Sequence, residues 1–473
     1  MNQRTTHEPS PKLHLPDDPP QAVNPSPLAD PPAQKGLLGR LALASGVGTA
    51  LEFYDFALYA TATSLVFNKV FFVVDDPWFG TFLGFVTFAV GFLMAPIGAV
   101  VFGHLGDRIG RRNTLIATFT LMGGATLLMG LLPSHATIGV AAPLLLLFLR
   151  LVHGVARGGE VGGAALIAIE QAPAKHRGLY GSFVTLGSPV GAGLANLSFL
   201  LILLLPNEAV IGWAWRIPFL LGGLVLVVGL VTRLHVDETP VFKQLQSERK
   251  VAKRPVADVL GHSWGRVLGA AGVMFGFNAF QYVLFTFLLS FGSEPVAQHG
   301  LGLARNALVT GTLLGCLGHA IAIAVASVLS DRVGRKPVIL TGAIGLALYA
   351  FPMFSLFTAG SASEAAAAIV IGLTLAGIMF GPMLTWFAQL FAPAQRYTGI
   401  GLGFQIGAAL GGGFSPLIAN RLLAATGTTV SISIFLVAAM VLSLVCIVVL
   451  PEQHASSRAD DASQRDGGYN HDL

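Results

Sequence analysis

The chain has 473 residues, 53% of them hydrophobic and only 11% charged. An ordinary globular chain is about 25% charged, so this one has too few ionic groups to cover a water-facing surface, and lipid is its expected solvent. The net charge of +4 is small for the length and gives no reason to expect nucleic acid as a partner. The 57 glycines fit a bilayer, where small residues let helices approach closely. The two cysteines, Cys316 and Cys446, lie in apolar segments and suggest neither a disulfide framework nor a metal site.

Residues 1–36 are rich in proline and polar groups and lack the apolar core of a signal peptide; they read as a disordered cytoplasmic tail. Apolar segments of the length a bilayer demands then fall near 40–68, 80–103, 113–132, 144–170, 182–205 and 216–234. Six more fall near 266–291, 305–329, 338–358, 365–390, 399–423 and 429–450. A membrane barrel would instead need short alternating segments. The expected fold is therefore all-α, with twelve transmembrane helices. Residues 37–234 and 265–451 form two six-helix bundles. A cytoplasmic linker spans 235–264, and a second polar tail spans 452–473.

Loop charge gives the orientation. Arg108, Arg111, Arg112, Lys175, Arg177, Lys243, Arg254, Arg332, Arg335, Lys336 and Arg396 fall on one side, whereas the other side holds few cations, such as Lys69 and Arg305. By the positive-inside rule the basic side is cytoplasmic, with both termini there. The expected location is the cell's inner membrane. The halves also repeat. "GHLGDRIGRR" (103–112) follows helix two and "SVLSDRVGRK" (327–336) follows helix eight. "QAPAKHRG" (171–178) follows helix four and "FAPAQRYTG" (391–399) follows helix ten. Two echoes in order imply parallel repeats with a substrate site near midplane.

Polar groups at membrane depth are costly, so they mark function. In the first half these are Glu52, Asp55, Arg150, His153, Arg157 and Glu160. Arg150 and Arg157 are seven apart and nearly superimpose on a helix, with His153 between them and Glu160 beyond, so they form one polar stripe; the alternative to a functional role is a structural ion-pair network, Arg157 with Glu160 or Asp55, that holds helices together. The glycines of that helix, Gly154, Gly158, Gly159, Gly162 and Gly163, invite a close neighbour, expected to be the first helix. In the second half, Asn278, Gln281, Tyr282, His319, Trp386, Gln389 and Gln405 could grip the uncharged end of a metabolite or simply bond between helices. No phosphate loop or metal-spaced cluster is present, so no enzyme or ATP-driven pump is expected. The glycine-rich "GLGFQIG" (401–407) lies in a membrane helix.

The loop "GHLGDRIGRR" resembles that of the major facilitator superfamily, and "RLVHG" (150–154) resembles its fourth-helix motif, with His153 where glutamine is common. "ALEFYDFALY" (50–59), "RGGEVGGA" (157–164), "WRIPFLLGG" (215–223) and "ETPVFKQL" (238–245) resemble the metabolite:proton symporters. Two departures stand out: Ala95 occupies a place often held by arginine, and Arg157 a place usually neutral. The resemblance implies two pseudo-symmetric bundles and alternating access. It also implies proton-coupled uptake of a small organic acid or zwitterion, by a monomer with no other cofactor. Export by proton antiport stays open, because "GSPVGAGLAN" (187–196) partly matches the exporters' helix-five motif. A sensor on the same scaffold and sodium coupling stay open too.

Three roles are expected. Asp107, with Gly103, Arg108, Gly110, Asp331 and Arg335, forms a latch; Asp107 faces the start of helix eleven near Thr398–Gly401, and Arg111 pairs with Glu170. Arg157, with Arg150, Tyr59, Asn278, Gln281, Tyr282, Trp386 and Gln405, binds substrate, its fork suiting a carboxylate. Asp55 carries the proton, with Glu52, Glu160 and His153 as partners and Arg157 as the counter-charge. Burial disfavours a carboxylate's charge and a nearby guanidinium favours it, so an acid held between them can change protonation as access alternates.

Overall fold

A computed structural model describes residues 35–73, 77–170, 177–234, 263–296 and 300–452, with isolated positions 247, 259 and 261. Nearly all of the tails and the linker lie outside the described residues. Among those described, all regular structure is helical. The first helix, α1 (Lys35–Ala62), starts two residues inside the expected tail and runs through a π-turn at Thr63–Phe67. Next come α2 (Pro77–Ile109), α3 (Arg111–Leu131) and α4. The last of these is not the single span expected. It comprises Ala141–Gly158 and, after a break at Gly159, Glu160–Glu170. Then α5 (Arg177–Ile202) and α6 (Arg216–Leu234) complete the first half.

The second half opens with α7, Trp264–Tyr282, which passes through a π-turn at Val283–Phe287 to Leu288–Ser293. After it come α8 (Arg305–Val333) and α9 (Arg335–Phe357). Helix α10 is Ala362–Phe380 and Met383–Leu390, interrupted at Gly381–Pro382. Helix α11 is Arg396–Ala408, a π-turn at Ala409–Gly413, and Phe414–Thr426. Helix α12 (Val430–Val449) ends the bundle. Ten of these stretches are long and apolar enough to cross a bilayer, and α6 with the bent helical piece before it makes an eleventh. With α1 they make the twelve-helix arrangement.

Packing repeats the sequence echo. Within the first half α1 packs on α5, α2 on α4 and α3 on α6. Within the second half α7 packs on α11, α8 on α10 and α9 on α12, the same pairs six helices later. The halves meet through α5 with α8 and α2 with α11, which exchange under the same operation. The echoed loops fold alike as well. Gly110 and Gly334, equivalent in the two motifs, have φ of 115° and 95° as each precedes the next helix. That backbone region favours glycine.

The neighbour of Gly154 and Gly158 of α4 is α2, not the expected α1. A Cβ on Gly158 would lie 2.1 Å from the Ala95 carbonyl, and one on Gly154 would lie 2.4 Å from that of Gly91. Gly159 faces Phe102 and Thr118, and Gly163 faces Leu115 and Tyr397. Gly162 lies outside the described side chains. The reason is angular. Each step turns a helix by about 100°, so Gly158 looks a quarter-turn away from Arg157. The polar stripe takes the side facing α1, and the glycines take the side facing α2. Helix α1 finds its own close partner in α5, where a Cβ on Gly191 would lie 2.0 Å from the Ala50 carbonyl.

These contacts predict unequal glycine tolerance. A Cβ on Gly98 would stand 1.9 Å from the Val155 carbonyl, whereas one on Gly124 meets nothing within 4 Å. Gly98→Ala and Gly158→Ala should each destabilise by about 1–3 kcal/mol. Gly124→Ala should be neutral or slightly stabilising. Thermal unfolding in detergent, followed by size-exclusion chromatography, checks this; equal stability of the three would contradict the close α2–α4 packing.

Candidate functional site

The polar stripe of α4 is buried. Arg150, His153, Arg157 and Glu52 are each about 1% exposed. Arg157 Nε donates to Glu52 Oε1 at 2.8 Å, joining α4 to α1. The carboxylate partner of Arg157 is thus Glu52, not Asp55 or Glu160 as the sequence suggests. Asp55 lies one helical turn further along α1 and meets His153 instead, with Nε2 to Oδ2 at 3.6 Å. It also lies beside Gly222 of α6, inside the first bundle. His153 Nδ1 is 3.4 Å from Arg150 Nη1. With Nδ1 accepting from Arg150, the ring proton sits on Nε2, facing Asp55. Glu160 falls beyond the break in α4 and is met by the Thr118 hydroxyl at 3.5 Å, so it leaves the stripe.

Arg150 differs from Arg157 in having no carboxylate in direct contact among the described residues. Its guanidinium lies over three rings, 4.1 Å from the centroid of Tyr59, 4.7 Å from Phe56 and 5.6 Å from Phe88. Its Nε and Nη2 have no hydrogen-bond partner there. Arg157 lies 4.3 Å from the Phe56 centroid and 4.8 Å from Phe92. Sequence reasoning finds Tyr59 but misses Phe56, Phe88 and Phe92. A phenylalanine in an apolar helix carries no signal of its own; the spacing of Phe56 from Glu52, one turn, is the only one available.

The second half reaches this cluster through two of its candidates. Tyr282 of α7 packs edge-on against Phe56, Phe88 and Phe92, with centroids 5.7, 6.0 and 5.0 Å away. Gln405 of α11 donates from Nε2 to the Arg157 carbonyl at 3.3 Å. Gln281 and Tyr282 line a small cavity with Phe53, Phe56, Asn196 and Phe285. Its volume of about 20 Å³ is room for little more than one water. The other candidates stand apart. Asn278 donates back to the Met274 carbonyl within α7. Trp386 donates its indole N–H to the Pro451 carbonyl and so ties α10 to the end of α12. His319 is buried inside the second bundle beside Phe380.

At the basic end each echoed loop carries an aspartate that crosses to the other bundle. Asp107 Oδ2 accepts from the Thr398 backbone N–H at 3.1 Å and its hydroxyl at 2.8 Å, at the start of α11. Asp331 accepts from the backbone N–H groups of Gly178 and Leu179, at 2.9 and 3.1 Å, at the start of α5. Arg335 lies 3.5 Å from Asp331. Gly103 leaves room for Thr398, since a Cβ there would stand only 3.2 Å from the threonine hydroxyl oxygen. Tyr397 completes the contact by donating to the Gly159 carbonyl at the break in α4. Arg108 is exposed. The Arg111–Glu170 pair lies outside the described side chains.

The sequence pattern described as "Sugar (and other) transporter" matches residues 41–266, and that of the "Major Facilitator Superfamily" matches residues 295–467. The chain is 38% identical over 423 residues to the inner membrane metabolite transport protein YhjE of Escherichia coli, covering 88% of this chain and 95% of that protein. It is 37% identical over 423 residues to the shikimate transporter of the same organism, covering 87% and 94%. It is 30% identical over 439 residues to the proline/betaine transporter of Salmonella typhimurium, covering 88% and 84%. A structure of the proton:xylose symporter XylE superposes with a TM-score of 0.73 at 17% identity, over 89% of this chain and 97% of that one.

The crossed aspartates predict a shift in bundle spacing. A carboxylate at a helix N-terminus contributes about 0.3–1 kcal/mol, and up to about 2 when partly buried. Asp107→Asn and Asp331→Asn should each raise the population with separated basic ends several-fold. Spin labels at the basic ends of α2 and α11, and of α5 and α8, report this as a longer distance. Unchanged distance distributions in both variants would exclude the clamp.

Proposed function

We propose that this chain, which belongs to the major facilitator superfamily and is a multi-pass membrane transporter of a small molecule, takes up a small organic acid or zwitterion together with a proton. The basic end faces the cytoplasm, with both termini there, and one chain is the transporting unit. The observation that carries this reading is the buried Arg157–Glu52 pair at 2.8 Å beside Arg150, whose Nε and Nη2 have no hydrogen-bond partner among the described residues. A guanidinium with open donors at membrane depth is a receptor for an anion.

Charge balance then supplies the coupling. In the empty carrier Glu52 neutralises Arg157. A proton taken up by Glu52 removes that charge and frees the guanidinium fork. The substrate carboxylate takes the vacated place, shared between Arg157 and Arg150. Proton and acid together leave the buried charge unchanged, whereas either alone leaves it unbalanced, and an unbalanced charge opposes movement through the closed form. Asp55, beside His153, is the second proton site, and His153 links it to Arg150. The crossed aspartates hold the cytoplasmic end shut until the loaded centre favours its opening. The glycine run of α5 also occurs in part in exporters. Here Gly187 and Gly191 pack it on Ala50 of α1, a use that either direction of transport shares.

The experiment is uptake of labelled acids and betaines by proteoliposomes at two pH values, with and without an imposed proton gradient. Glu52→Gln should lose accumulation against a gradient yet keep exchange of labelled for unlabelled substrate. Full proton-driven accumulation by that variant would transfer the role to Asp55, whose Asn variant should then show the same split. Arg157→Ala should weaken an acid's binding by about 2–5 kcal/mol, and Arg157→Lys should not restore it, because a point charge does not reproduce the fork. Near-normal acid affinity in the alanine variant would make Arg157 structural and remove the basis of the reading.

A further inference from the structure

The small cavity and the two arginines share one ring, Phe56, with Tyr282 packed beside it. Phe56 lines the cavity, together with Phe53, Tyr282, Phe285, Asn196 and Gln281, whereas neither guanidinium reaches it. Yet the guanidiniums of Arg150 and Arg157 lie 4.7 and 4.3 Å from the Phe56 centroid. Phe56 is fixed in turn by Phe92 at 4.3 Å, Phe88 at 5.1 Å and, from the opposite bundle, Tyr282 at 5.7 Å. The cavity holds little more than one water, so a ligand's acid group reaches the charges from this side only when the ring moves.

Two physical consequences follow. A ring face attracts a cation, but a carboxylate that binds two N–H groups at once is the stronger partner. An acid therefore gains by displacing Phe56, and its own body takes up the space the ring leaves beside Tyr282. An ammonium group gains nothing comparable. Aromatic cages hold quaternary ammonium ions on their ring faces, and here the faces of Phe56, Tyr59 and Phe92 are already engaged by the protein's own guanidiniums. Two fixed positive charges beside the ring repel a further one.

We infer that Phe56 sets the charge selectivity of the site: its ring covers both guanidiniums in the empty carrier, an acid displaces it to reach them, and a quaternary ammonium is repelled by them. This rests on the uptake reading above and narrows it from acids or zwitterions to acids. Because the ring competes with the substrate, the binding-competent form is a minor one while Phe56 is present. Removing the ring raises its population and so tightens the apparent affinity for acids. An ordinary packing residue at this position would act in the opposite sense.

The full-length protein is titrated in detergent with shikimate, benzoate and glycine betaine, following the unfolding temperature. The two acids should stabilise the wild type saturably and glycine betaine should not. Phe56→Leu should unfold at a lower temperature when empty, yet saturate at about tenfold lower acid concentration. Phe56→Met, which keeps more of the volume, should do the same, and Phe56→Tyr should match the wild type. Equal or weaker acid binding by both ringless variants would overturn the inference, as would saturable stabilisation of the wild type by glycine betaine. Proteoliposome uptake separates the two levels. Acid accumulation by the wild type with no gain of affinity in the ringless variants defeats the role of Phe56 alone. Failure of the wild type to bind or accumulate any acid defeats the uptake reading with it.

Discussion

A guanidinium held at membrane depth costs at least about 2.5–3.5 kcal/mol unless its surroundings compensate it, and two of them stand one above the other on α4. Arg157 is compensated by Glu52 at 2.8 Å and by the rings of Phe56 and Phe92. Arg150 is held by three rings and, through His153, by Asp55. The surrounding architecture makes this possible. Arg150 lies across α2 only because Gly91 is there, since a Cβ would stand 2.5 Å from its Nε. The close approach of α2 and α4 through Gly98, Gly154 and Gly158 excludes water and lipid from the same region. Removing that packing would remove the low-dielectric surroundings that strengthen the ion pairs.

The internal two-fold is obeyed by the frame and broken by the chemistry. Helix pairs, the positive-φ glycines and the crossed aspartates all occur twice. So do the π-turns of α1 and α7, each beside the central cluster; such turns often mark functional points in a helix. The charges occur once. Among the described residues, the buried ionic groups of the central cluster come from the first bundle, while the second contributes Tyr282 and Gln405. A symmetric frame allows the bundles to rock about a fixed centre. An asymmetric centre keeps the paired charges within one bundle, Arg157 with Glu52 and His153 with Asp55.

Much of this is legible without coordinates. Segment length and apolarity give twelve helices because a bilayer imposes one length on all of them. The repeated loops give the two-fold because the same backbone turn needs the same glycine. Glu52, Asp55, Arg150, His153 and Arg157 stand out because charge in an apolar segment is never cheap. The loop motif points Asp107 at Thr398, and its carboxylate is found there. Trp386 and Asn278 fall away from the site for one shared reason. A polar tip in an apolar helix announces that it needs a partner and says nothing of whether that partner is a substrate, a neighbouring carbonyl or its own helix.

Sequence alone thus determined the solvent, the number of spans, the internal repeat and the list of costly groups, since each depends on length, composition or local spacing. Tertiary structure decided the pairings. That Arg157 meets Glu52 and Asp55 meets His153, that Gly154 and Gly158 face α2, and that Phe56 both lines the cavity and touches the two guanidiniums all depend on how each helix is rotated about its axis. Rotation is set by packing against several neighbours at once. A shift of one residue turns a side chain through about 100°, which is enough to exchange one partner for another while leaving every pattern along the chain unchanged.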